Sequence, residues 1–132
     1  VGEKALCIAG QKKLFAYLSK KLNTTDYIVH KKLHFELIGL ALLSHNLFIF
    51  GQNEIDLNEL LPIIDNAISL LRKYGYTENL PELLFDRCYL YYKLEYKKEY
   101  EKALDEAIAI STFFLGTEKT DKLIKWLENK ND

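Results

Sequence analysis

The amino-acid sequence predicts an all-α fold: stacked antiparallel helical hairpins in a right-handed, tetratricopeptide-like (TPR-like) superhelical array of about six helices. Three observations carry that expectation. Apolar residues recur at steps of three and four in every apolar segment, the period of a helix face. Two prolines and six glycines occur in 132 residues, mostly between apolar runs, where they act as stops. The stretch EYEKALDEAIAI puts Tyr100, Ala103, Leu104, Ala107 and Ile108 on one side of a helix. Small alanines there admit a close neighbour, and large tyrosines fill the gaps beside them.

Each element has its own signals. The first helix is expected from Glu3 to about Leu22, with Leu6, Leu14, Phe15 and Leu18 as its apolar side and Gly10 as a weak or bent point. Asn23, Thr24, Thr25 and Asp26 form a turn rich in N-caps, and a second helix follows from Tyr27 to Phe50. That helix is apolar on nearly every side after Leu37, so it is expected to be the most buried element, ended by Gly51. Asp56 with Glu59 forms a capping box for the third helix, stapled by Ile55 and Leu60. Leu60, Ile63, Ile64, Ala67, Leu70 and Leu71 make its stripe, Pro62 predicts a break or kink near Leu61, and Gly75 closes it. Asn79, Pro81 and Glu82 open the fourth helix, which runs to about Glu95. The fifth runs from about Lys98 to Leu115 and stops at Gly116, and Thr117 caps a last helix carrying Leu123, Ile124, Trp126 and Leu127. The hairpin period is about 40 residues, closer to HEAT-like hairpins than to a consensus TPR.

Composition narrows the function classes. The length suits one domain over residues 1–132, and a 48% hydrophobic, 13% aromatic content excludes a disordered chain. A net charge of −1 lacks the basic excess of a nucleic-acid surface, so no direct nucleic-acid contact is expected. The longest apolar run, residues 37–50, is too short for a bilayer and holds Ser44, His45 and Asn46, so no membrane contact is expected. Cys7 and Cys88 have no metal spacing and read as reduced thiols of a cytoplasmic protein. The chain begins at Val1 without methionine, and reads as a fragment lacking a partner domain.

No catalytic pattern is legible: no Gly-rich phosphate loop, nucleophile elbow or paired zinc motif, so the chain reads as a binder with no cofactor, metal or catalytic residue. His30 and His34 share a helix face at metal spacing, but no third ligand accompanies them, and a solvated face beside Lys31 and Lys32 is the simpler role. Ser44, His45 and Asn46 interrupt the most apolar helix and need partners, either in neighbouring helices or in a bound ligand. Asn46 is the stronger ligand candidate, because its amide donates to and accepts from a peptide bond together. Asp86 and Arg87 interrupt LLFDRCYLYY; Arg87 pairs with an acid across the hairpin or awaits a carboxylate. Tyr89, Tyr91, Tyr92, Tyr96 and Tyr100 form an aromatic cluster suited to core and corner packing, or to a ligand groove.

Over about residues 33–129 the chain resembles the C-terminal regulatory domain of Gram-positive peptide-sensing transcription regulators, the Rgg/MutR group and the related PlcR and PrgX regulators. The resemblance lies in LHFELIGLALLSHNLFIF, in LLPIIDNAISLLRKYGY, and in LLFDRCYLYYKLEYKKEYEKALDEAIAISTFF followed by Gly and a short terminal helix. It implies a quorum-sensing stack of hairpins that forms a homodimer and binds a short signal peptide on its concave face. In such proteins an N-terminal helix-turn-helix domain reads DNA; residues 1–50 here carry no such pattern. By the resemblance, Asn46 and Arg87 hold the peptide backbone and terminus in one groove; His45, from the polar interruption of the second helix, and Tyr91, from the tyrosine cluster, complete the expected ligand-binding set. The alternative reading is a stand-alone helical scaffold for a protein partner.

Overall fold

The computed structural model describes the backbone of residues 2–23, 31–51, 55–77 and 79–131, and the side chains of residues 8–20, 36–51, 55–77 and 79–130. Among these residues the chain is all-α, with no strand. The helices are α1 (Gly2–Asn23), α2 (Lys31–Gly51), α3 (Leu57–Lys73), α4 (Leu80–Lys93), α5 (Lys97–Leu115) and α6 (Thr117–Asn131). The expected turn residues Thr24, Thr25 and Asp26, the expected second-helix residues Tyr27–His30, and the side chains of Leu6, Cys7 and His34 lie outside the described residues.

The helix ends follow local chemistry. Asp56 caps α3 by accepting the Asn58 amide at 2.9 Å, while the Glu59 carboxylate goes to Lys12 of α1. Gly75 and Gly116 stop α3 and α5 with φ of +65° and +90°, a region that disfavours any side chain. The expected break at Pro62 does not occur. Asn58 and Pro62 are both exposed, so the carbonyl that loses its amide partner lies on the solvent side, and α3 runs on unbroken. α1 likewise passes through Gly10, and its buried side is Ile8 and Phe15 with half-buried Leu18; Leu14, one step round the helix, is exposed.

The centre of the array is α4, not α2. It packs on α2, α3, α5 and α6, and Leu80, Leu83, Leu84, Phe85, Asp86, Cys88, Tyr89 and Leu90 are all buried. α2 is apolar all round but touches fewer helices, so Leu42, Ile49 and Phe50 remain exposed. A helix is buried by the number of its neighbours, which its own hydrophobicity does not set. Ala103 and Ala107 are buried on the α5 side facing α4, and Ser111 continues that seam one turn on, bonded at 2.7 Å to Thr120 of α6. Phe48, Tyr89 and Trp126 meet edge-on or tilted at ring separations of 5.3–6.4 Å, tying α2, α4 and α6 together.

Candidate functional site

The polar residues that interrupt α2 part company. Ser44 is buried and bonds back to the Leu40 carbonyl at 2.7 Å, so its need is met within the helix. His45 turns to α4, where its Nδ1 lies 2.5 Å from Asp86 Oδ2, with Asp86 only 1% exposed. Asn46 is exposed. It stands between Leu42, Ile49 and Phe50 at helical spacings of three and four, so the four residues form one solvent-facing stripe along α2.

That stripe runs into a cavity of about 160 Å³ lined by His45 and Ile49 of α2, Glu82, Phe85 and Asp86 of α4, and Leu123 and Trp126 of α6. Three titratable groups meet there. Burial pushes the Asp86 carboxyl up to about 6; the His45 hydrogen bond and charge pull it down, and Glu82 pushes it up. Burial lowers the His45 imidazole, but the Asp86 hydrogen bond and charge, with Glu82 adding to them, raise it above its ordinary value. Each partner's hydrogen bond and charge thus favour the ionised form of the other, against the cost of burial. Glu82 is the second acid, four residues from Asp86 on the same helix face.

Glu82 has lost the role its position suggested. Asn79 sits in the left-handed region at φ +64° and its side chain makes no capping bond, so the expected capping box does not form. Glu82 Oε2 is buried and has no hydrogen-bond partner. The cavity thus offers an imidazole–carboxylate pair, a second carboxylate oxygen, an indole and apolar walls. It can exchange a proton and hold a cation. No hydroxyl or thiol lines it.

Arg87 points the other way, and it is internally paired. Its guanidinium reaches Asp65 of α3 at 3.2 Å and Glu106 of α5 at 2.7 Å, and Arg72 joins Glu106 at 2.6 Å. With Tyr91, Glu99, Lys102, Ala103 and Glu106 it lines a cavity of about 180 Å³ between α4 and α5. Tyr91 also lines a neighbouring space of about 370 Å³ at the α4–α5 corner, where Tyr91 packs on Tyr96 and Tyr92 on Tyr100. The structure therefore groups Arg87 with Tyr91, puts His45 at the α2–α4–α6 cavity, and leaves Asn46 on the stripe beside it. Asn46 and Arg87 line no common cavity among these three.

Sequence reasoning did not single out Glu82, Ile49 or Trp126 as site residues. The available signal was the pair of polar interruptions, one in each of two apolar helices, which are obliged to satisfy each other if the helices touch. Cys88 is buried, and burial pushes its thiol up to about 12, which leaves it inert as a nucleophile. Among the described residues no group of three or more His, Cys, Asp or Glu side chains is placed to hold a metal, and no helix is long and apolar enough to cross a membrane. Comparison with known proteins found no matching family model, no matching curated protein and no matching solved structure.

Proposed function

We propose that this chain is the peptide-sensing and dimerisation domain of a cytoplasmic transcription regulator of the Rgg/MutR and PlcR type, and that a short apolar signal peptide lies along α2. One observation carries this reading: the exposed stripe Leu42, Asn46, Ile49 and Phe50 leads directly into the cavity between α2, α4 and α6. An apolar stripe broken by one amide suits an extended peptide, because side chains cover the apolar residues while Asn46 bonds the peptide backbone. The roles implied by the resemblance are redistributed: Asn46 and His45 belong to the peptide site, whereas Arg87 and Tyr91 hold α3, α4 and α5 together.

The mechanism is linkage. A peptide touching both α2 and α6 favours the arrangement in which those helices flank the cavity, and destabilises arrangements in which they separate. A coupling of about 1–3 kcal/mol between peptide and dimer or tethered domain is the usual scale for such control. The test is calorimetry with short synthetic apolar peptides on wild type, Ile49→Asp and Asn46→Ala. Binding should be abolished by Ile49→Asp and weakened about threefold to tenfold by Asn46→Ala, the range of one neutral hydrogen bond. Binding that is indifferent to both substitutions would place the peptide elsewhere.

A further inference from the structure

The geometry points to a lysine-recognition site: the cavity between α2, α4 and α6 takes the side-chain ammonium of a lysine, held by Glu82 beside the His45–Asp86 pair and Trp126. It rests on the peptide-binding reading for the source of the lysine, and on the cavity alone for the chemistry.

Four features carry it. First, the acids outnumber the bases: Glu82 and Asp86 face His45, and α6 brings only Leu123 and Trp126 to the cavity. Two carboxyl groups therefore share one imidazole, and no lysine or arginine lines the cavity. Second, Glu82 Oε2 is buried without a hydrogen-bond partner, and the helix-capping role that would have used Glu82 is missing because Asn79 is left-handed. Third, the Trp126 indole lines the cavity, and an aromatic ring attracts a cation to its face electrostatically. Fourth, Ile49, Phe85 and Leu123 give apolar walls for a methylene stem. At roughly 30 Å³ per water molecule, about 160 Å³ holds an ammonium with part of its stem.

Lysine fits better than arginine. A guanidinium favours a carboxylate with both oxygens open in one plane, whereas Asp86 Oδ2 is already taken by His45. An ammonium is a compact charge with three rotatable donors, and it can meet a single buried oxygen such as Glu82 Oε2. The stripe then has a direction: apolar residues of the peptide cover Leu42 and Phe50, and its lysine enters past Ile49.

Calorimetry on the intact chain tests this with probes of one shape and different charge. n-Butylammonium should bind, while n-butanol and n-butyrate should not, and Glu82→Gln should weaken n-butylammonium by about tenfold or more, the loss of a hydrogen bond to a charged group. Equal binding of n-butanol and n-butylammonium, no binding of n-butylammonium, or an affinity unchanged in Glu82→Gln would each overturn the inference. The wild-type comparison needs no variant, so a misfolded variant does not blunt it. Acetylated apolar peptides with one lysine, against the same peptides with norleucine, give the source. A loss of about tenfold on the norleucine change supports lysine recognition. Peptides that bind equally with norleucine overturn it and leave the peptide-binding reading standing. If n-butylammonium binds and no peptide does, the ammonium site stands and the peptide-binding reading falls. A lysine-free peptide whose free amino terminus binds as tightly overturns the assignment to a side chain.

Discussion

Replacing His45 by leucine keeps most of its volume and removes the partner of a carboxylate that is 1% exposed. Asp86 then has two costly options at neutral pH: to stay ionised and buried, or to take a proton. The second sets an upper limit. An unfolded aspartate titrates near 3.9, so holding Asp86 neutral at pH 7 costs about three pK units, or roughly 4 kcal/mol. Wild type already carries part of that, because burial has pushed Asp86 up to about 6. We expect a net loss of about 2–4 kcal/mol at pH 7, in line with other broken buried pairs. Near pH 4.5 the acid is neutral in both proteins at little cost, and the difference should fall below about 1 kcal/mol. The sign for wild type follows from the same shifts. Asp86 and His45 both hold protons more tightly folded than unfolded, so their contribution to stability declines as pH rises from about 4 through the raised His45 value. Urea unfolding followed by circular dichroism at both pH values measures each quantity. A loss that is the same at pH 7 and pH 4.5 would refute the pairing as the source of the effect.

Three further outcomes check the framework around the site. Ala107→Leu should overpack the α4–α5 seam, where Ala107 has no exposed surface, and lower stability by about 1–3 kcal/mol in the same assay. Gly10→Ala should raise stability by about 0.5–1 kcal/mol, because an added Cβ meets nothing within 4 Å and the helix gains propensity; a loss would show that Gly10 is a contact point. Arg87→Met should cost about 1–3 kcal/mol by leaving Asp65 without its cation, yet leave peptide affinity unchanged in calorimetry.

How far the sequence could be read depended on the range of the interactions. Stops at Gly75 and Gly116, the Asp56 cap and the alanine seam are local or periodic, and they stand where the residues put them. The identity of the central helix was not legible, because α2 is the more apolar segment while α4 has the more neighbours. The His45–Asp86 pair joins residues 41 apart, so no spacing rule exposes it. The Asn79 conformation was hidden too: the same residues that spell a capping box also tolerate a left-handed turn, and only the packed chain selects between them. That selection frees Glu82, and with it the character of the cavity.

The most direct test uses Trp126, the one tryptophan in the chain, which lines the cavity itself. A lysine-bearing apolar peptide is titrated into the protein while the tryptophan emission is followed, beside calorimetry on the same samples. The account predicts a saturable change in emission with the same dissociation constant as the heat of binding. Peptide binding by calorimetry with no change in Trp126 emission would contradict it.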